Sequence, residues 1–258
     1  VGEEAARAPV WCLLEEGLYV GLAEVASVFE DRVVDDAVWE EEGAVAIGGE
    51  LNTVTGHLGV ALGGYSNDVT APEAAAVGGR DNTASGSYSA VLGGRDNTAS
   101  AMSATVSGGQ TNIAQFDYSS ISGGSQNTAS NNYASVSGGL NNLASGQYSS
   151  VSGGRENSAR GQYSSISAGF SGNASSTYSS ISGGYDNTAS GITSSVAGGF
   201  TNTASGGYAT ASGGWNNIAS GDYSSVSAGW QSNAVGMGAA VAGGRTVSAN
   251  HNYSTVIG

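Results

Sequence analysis

The sequence predicts an all-β fold: a parallel β-solenoid, or β-roll, of about 14 coils of 15 residues that follows a non-repeating N-terminal segment. Glycine recurs every 15 residues from Gly49 to Gly244, without insertion or deletion. The coils are dense in glycine and serine, which disfavour helices. Fifteen residues are too few for two packed helices, whereas they suit two short strands joined by two corners.

Two apolar columns predict the core. One column is valine at Val54 and Val69 and then alanine from Ala84 to Ala249. The other is mostly valine or isoleucine from Val91 to Val256. An alanine ladder facing a valine and isoleucine ladder predicts a thin, close-packed interior. Parallel strands lie about 4.8 Å apart, so the stacked coils predict a rod of roughly 70 Å.

Glycine and asparagine predict the corners. A Gly-Gly pair in nearly every coil supplies one corner, where a positive φ costs glycine little. We expect the other corner at a second set of glycines: Gly86, Gly146, Gly161, Gly191, Gly206 and Gly221. Asparagine tolerates left-handed turns, and stacked amides bond one coil to the next. The asparagine column therefore predicts a structural ladder: Asn52, Asn67, Asn82, Asn97, Asn112, Asn127, Asn142, Asn157, Asn187, Asn202 and Asn217.

Charge divides the chain into an acidic segment, 1–42, and the repeat domain, 43–258. Residues 1–42 hold 12 acidic residues and 2 arginines, so they carry −10 of the net −14. The chain has no lysine and no basic stripe, which argues against nucleic acid or an anionic membrane as partner. Cys12 is the single cysteine, so no internal disulfide forms. No apolar run is long enough for a membrane span.

The acidic segment has two open interpretations of its structure. Its apolar residues at three- and four-residue spacing favour an amphipathic helix: Trp11, Leu14, Leu18, Leu22, Val25 and Phe29. Its glycines and its later valines favour an extended strand instead. In either form, we expect the segment to cap the first coils or to clamp a neighbouring subunit.

The positions flanking the second apolar column predict self-association. They are apolar in the first coils, carry hydroxyl groups in the middle and become apolar again near the end of the chain. Exposed apolar patches usually mark contacts. The last coil also predicts an unpaired strand edge, and head-to-tail stacking on such an edge grows a filament. The predicted self-association residues are Val45, Ile47, Val60, Leu62, Val256 and Ile257.

Five consecutive coils place an aromatic residue directly after the glycine pair. This aromatic edge comprises Phe170, Tyr185, Phe200, Trp215 and Trp230. One interpretation is a binding surface for glycans or a neighbouring fibre. The other is a ladder that stabilises its own stack.

The residues of enzyme chemistry are sparse and far apart. His57 and His251 are the only histidines and lie about 13 coils apart, so no Ser-His-Asp or Cys-His arrangement assembles within one chain. No metal-ligand cluster or phosphate-binding loop is present in the sequence. We expect no enzyme activity, no metal and no cofactor.

Two early segments, Ala44 to Gly48 and Gly59 to Gly63, resemble the Val-Ala-Ile/Leu-Gly element of YadA-type trimeric autotransporter heads. The resemblance extends over about 43–258 and implies a left-handed parallel β-roll at a bacterial cell surface. It also implies frequent trimerisation and an adhesive role.

Three functions are compatible with the sequence. The first is a self-associating structural protein of the cell surface or extracellular space that forms a filament through its ends. The second is a trimeric adhesin head that binds host matrix, glycans or other cells. The third is ice binding by a hydroxyl ladder that includes Thr83 and Ser85. That ladder is interrupted by Ile113, Leu143, Asn173, Ile218 and Asn233.

Overall fold

The computed structural model of the chain describes residues 11–13, 19–21, 38–39 and 43–258. The chain divides into two compact units, Val1–Asp35 and Asp36–Gly258. In the first unit, strand β1 (Trp11–Leu13) pairs antiparallel with strand β2 (Tyr19–Gly21). No helix occurs among the described residues. The rest of the predicted amphipathic pattern lies outside them: Leu14, Leu18, Leu22, Val25 and Phe29.

Two parallel sheets of 15 strands each form the second unit. The first sheet contains β3 Val38–Trp39, β5 Thr53–Val54, β7 Asp68–Val69, β9 Thr83–Ala84, β11 Thr98–Ala99, β13 Ile113–Ala114, β15 Thr128–Ala129, β17 Leu143–Ala144, β19 Ser158–Ala159, β21 Asn173–Ala174, β23 Thr188–Ala189, β25 Thr203–Ala204, β27 Ile218–Ala219, β29 Asn233–Ala234 and β31 Ser248–Ala249. The second sheet contains β4 Val45–Ile47, β6 Val60–Leu62, β8 Ala75–Ala76, β10 Ala90–Val91, β12 Thr105–Val106, β14 Ser120–Ile121, β16 Ser135–Val136, β18 Ser150–Val151, β20 Ser165–Ile166, β22 Ser180–Ile181, β24 Ser195–Val196, β26 Thr210–Ala211, β28 Ser225–Val226, β30 Ala240–Val241 and β32 Thr255–Val256.

The register of both sheets confirms the 15-residue coil. Val151 pairs with Ile166 in the second sheet, and Ala144 pairs with Ala159 in the first. The inward residue of every strand from β5 to β31 is buried, as the two apolar columns predicted. Because the coils stack without slipping, each column of the sequence becomes a straight ladder in the structure.

The first corner of each coil depends on one glycine of the pair. In the pair Gly138-Gly139, the second glycine, Gly139, has a φ of 92°. A Cβ on Gly139 would lie 2.1 Å from the Gly154 carbonyl oxygen. Gly138 has open space around the position of a Cβ. The corner therefore requires glycine at the second position. The first position tolerates a side chain in the later coils, where Ala168 and Ala228 occur, whereas Gly48 and Gly63 in the early coils also have a positive φ.

The second corner lies at the predicted glycines, since the Ser149 backbone nitrogen donates to the Gly146 oxygen. The left-handed backbone lies at other residues of both corners. The ladder asparagines do not have a left-handed backbone conformation. The residue before each of them has it: Asn141, which precedes the ladder asparagine Asn142, has a φ of 54°. At the second corner, glycines such as Gly146 are not the left-handed residues either. That conformation belongs to the residue two positions later, which is Tyr148 in the same coil, with a φ of 59°.

Candidate functional site

The asparagine corner, residues 138–142 and their equivalents in other coils, contains a buried hydrogen-bond ladder. Asn142 Nδ2 donates to the Gly138 oxygen at 2.9 Å and to the Gly154 oxygen at 3.0 Å. Asn142 Oδ1 accepts from the Asn157 backbone nitrogen at 3.0 Å. One side chain thus joins its own coil to the next, which confirms the structural interpretation of the column.

The tyrosine corner, residues 146–149 and their equivalents, carries an exposed ladder that the sequence interpretation missed. The Ser149 backbone nitrogen closes the turn by donating to the Gly146 oxygen at 3.0 Å. Between them, the Tyr148 ring stacks on Tyr133 at 4.8 Å and on Tyr163 at 5.0 Å. Five rings stack in succession, from Tyr118 to Tyr178. The 15-residue recurrence of tyrosine would have identified them.

The aromatic edge lies at the asparagine corner and forms a second ring ladder. Tyr185 stacks on Phe200 at 4.5 Å, and Trp215 stacks on Trp230 at 5.1 Å. The contacts of Phe170 with Tyr185, and of Phe200 with Trp215, complete the series. The backbone in this column also pairs from coil to coil.

Arginines close both ends of the aromatic edge. The Arg155 guanidinium lies 5.2 Å from the centre of the Phe170 ring, and that of Arg245 lies 4.9 Å from the centre of Trp230. These cation–π contacts cover the terminal faces. Each ring thus contacts its neighbour along the edge, with one tilted contact between Phe200 and Trp215, a geometry that favours self-stabilisation over glycan stacking. The arginines stand in the same column of the sequence, which is the signal that would have revealed them.

The apolar patch covers the outward side of the second sheet in the first four coils. Ile47 is 61% exposed and Leu92 is 52% exposed, and their side chains have no polar atoms. The patch comprises Val45, Ile47, Val60, Leu62, Ala75, Val77, Ala90 and Leu92. Of the two late residues predicted to self-associate, Ile257 is exposed and Val256 packs partly buried against the core.

The next nine coils of the second sheet present a hydroxyl face instead. Each strand there directs one half-buried and one exposed residue outward, such as Ser150 and Ser152. The face extends from Thr105 to Ser227, and Ala197 is its single position without a hydroxyl group. The hydroxyl ladder predicted from Thr83 and Ser85 lies on the first sheet, with the interruptions that the sequence shows.

Ionisable groups do not converge among residues 43–258. Arg80, Arg95 and Arg155 each pair with the acidic residue that follows them, at exposed positions. Burial raises the pKa of the Asp68 carboxyl. No group of three or more metal-ligating side chains occurs within the described ranges. Over those same residues, no helix has the length and apolar character of a membrane span.

Comparison with known proteins adds no relative. No protein-family model matches the chain, and no curated protein matches it. The resemblance to YadA-type heads therefore remains a prediction, whereas the parallel β-solenoid is established by the pairing of its strands.

Proposed function

We propose that this chain is a non-enzymatic structural protein of the bacterial surface or extracellular space that self-associates side by side. The apolar patch is the observation that supports this proposal. The fold is the same in all coils, yet outward residues of the second sheet are apolar in the first four coils and polar in the next nine. Contact with solvent does not explain why the outward residues of the first four coils are apolar. Exposed apolar patches usually mark contacts with another molecule.

A second copy of the chain is the proposed occupant of the patch. The patch is uncharged and contained within the coils that resemble trimeric adhesin heads. Three parallel copies around one axis would bury the patches of all three copies together. The later coils, which carry the hydroxyl face, would stay in contact with solvent. The end-to-end filament predicted from the sequence is the other mode of self-association.

Sedimentation and electron microscopy of the full chain test the proposal. We expect compact trimers, and we expect the triple variant Ile47→Ser, Leu62→Ser, Leu92→Ser to dissociate into monomers with unchanged circular dichroism. Serine suits these sites because the same column carries serine in six consecutive coils, from Ser107 to Ser182. The double variant Leu140→Ser, Ile192→Ser is the matched control, since both residues are exposed and lie outside the patch.

Each other result has a distinct meaning. Monomers of the unmodified chain at all concentrations would refute self-association. Trimers that survive in the triple variant would refute the patch as the interface. Long fibres with an axial joint would support the filament instead.

Ice binding is a second candidate, because the hydroxyl face is more regular than the ladder predicted from the sequence. In-register parallel strands place its hydroxyl groups in two straight ranks along nine coils. A thermal-hysteresis assay tests it. Ser152→Lys with Ser167→Lys should abolish activity, and Ser130→Lys with Ser145→Lys on the first sheet should retain it. Absence of hysteresis in the unmodified chain would exclude this candidate.

A further inference from the structure

The tyrosine ladder lacks an aromatic ring at Thr193, and we call such a position a vacant rung. This residue occupies the ladder position between Tyr178 and Tyr208. Successive tyrosine rings lie 5.0 Å apart where Tyr208 stacks on Tyr223. The two rings that border Thr193 are two coils apart, so their centres are separated by about twice that distance, which leaves room for one stacked ring.

Tyr178 and Tyr208 each stack on a tyrosine on the side away from Thr193, and no ring covers the face toward Thr193. Tyr178 is 55% exposed and Tyr208 is 53% exposed, whereas Tyr148 and Tyr163, inside the continuous ladder, are each 42% exposed. The difference is the ring area that a neighbour would otherwise cover. Thr193 itself is β-branched and has a φ of 56°, a conformation that such residues rarely adopt.

The vacant rung at Gly238 differs from that at Thr193. A Cβ on Gly238 would lie 2.8 Å from Cδ1 of Tyr253, so the Tyr253 ring already leans over that position. Next to the Thr193 rung, in contrast, the surface opens into a groove of about 490 Å³. Its lining includes Ile192, Gly207, Tyr208 and Asp222 but neither Thr193 nor Tyr178, so the groove adjoins the rung and does not contain it.

Asp222 gives the groove a negative charge. Its Oδ1 accepts a hydrogen bond from the Gly207 backbone nitrogen at 2.8 Å, which holds the carboxylate beside Gly207 at the groove. Asp222 is exposed and forms no salt bridge among the described residues. Gly207 has no side chain to fill the space between this carboxylate and the vacant rung.

We infer that the vacant rung at Thr193 binds one flat aromatic ring that carries a cationic group. The ring takes the place of a tyrosine ring and stacks between Tyr178 and Tyr208. The cationic group extends over Gly207 to the Asp222 carboxylate. This site is independent of the apolar patch, which lies on other coils and on the second sheet.

Tyramine, a phenol with an amine, is a suitable probe, and isoleucine methyl groups are suitable reporters. The chain has eight isoleucines, so a protein labelled with ¹³C in those methyl groups gives a simple spectrum. Ile192 lines the groove, while Ile113 and Ile218 lie on the first sheet. We expect millimolar tyramine to shift the Ile192 signal, through the ring current, and to leave Ile113 and Ile218 unchanged.

Three variants make the test specific. Thr193→Tyr fills the rung and should abolish the tyramine-induced shift of Ile192. Thr201→Tyr adds the same side chain at the asparagine corner and should preserve the shift. Asp222→Asn should weaken binding several-fold. The inference is overturned if tyramine leaves Ile192 unshifted in the unmodified protein, or if Thr193→Tyr binds as well. Unchanged affinity in Asp222→Asn would overturn the role of the carboxylate.

Discussion

At the asparagine corner the repeating side chain is buried and hydrogen-bonded, whereas at the tyrosine corner it is exposed and stacks on its counterparts. Both corners reverse the chain next to a left-handed residue in nearly every coil. Left-handed backbone costs an L-residue roughly 1–2 kcal/mol. The first corner offsets this cost through bonds to backbone groups, whereas contacts between rings contribute at the second corner only where tyrosines occupy adjacent coils.

The coils that lack the asparagine show what its ladder does. Where the asparagine is present, the φ of the second glycine lies between 78° and 92°. In the three coils with Gly172, Ser232 or Val247 in that column, φ widens to 109°, 134° and 100°. The buried ladder thus sets the corner geometry. The tyrosine ladder breaks at three positions while strand pairing continues, so its rings are additions to a corner that already closes.

Alanine in place of Gly139 should have the largest effect. The new Cβ would lie 2.1 Å from the Gly154 oxygen, a backbone atom fixed by strand pairing. We expect destabilisation of more than about 4 kcal/mol. Hydrogen exchange should show lost protection in the adjoining coils. Gly138→Ala is the control and should change stability by less than about 0.5 kcal/mol. Equal effects of the two substitutions would contradict the assigned roles of the glycines.

Asn142→Ala should have the next largest effect, about 3 kcal/mol, because it leaves buried backbone groups without partners. These groups are the Gly138 oxygen and the Asn157 nitrogen, while the Gly154 oxygen retains the Leu140 backbone nitrogen as its donor. Denaturation in urea measures the loss. Asn132→Ala, at the tyrosine corner, removes an amide for which no side-chain hydrogen bond is described, and should be nearly neutral. A similar loss in both variants would refute the distinction between the corners.

Tyr148→Ser should cost only about 1 kcal/mol, because it removes two stacking contacts at an exposed site. Thermal unfolding measures this change. The matched control is Tyr88→Ser, at a left-handed position whose ladder neighbours are Glu73 and Ser103. The control should melt close to the unmodified chain. If both variants lost the same stability, ring stacking would not be the source.

The sequence sufficed to predict the coil length, the inward columns and the asparagine ladder, because each depends on a strict 15-residue period. It did not locate the left-handed residues. Glycine adopts a positive φ at the least cost, yet Tyr148 adopts that conformation because the turn from Gly146 to Ser149 closes around it. The tyrosine column shows the gap at Thr193, but the adjoining groove was beyond reach, since a groove depends on how the side chains of adjacent coils pack.

The smallest expected effect concerns a single hydroxyl at the tyrosine corner. A hydrogen bond to the Glu73 side chain, together with its negative charge, raises the pKa of the Tyr88 hydroxyl. Because the folded pKa is above the unfolded value of about 10, the neutral hydroxyl favours the fold at neutral pH, and this contribution is lost as pH rises through the folded pKa. Glu73→Gln should lower the pKa toward about 10. Tyrosine ¹³Cζ signals measure it, with Tyr88→Phe for assignment. Glu50→Gln, at the other corner, should leave it unchanged, and an unchanged pKa in Glu73→Gln would show that neighbouring rungs of this exposed ladder interact only by stacking.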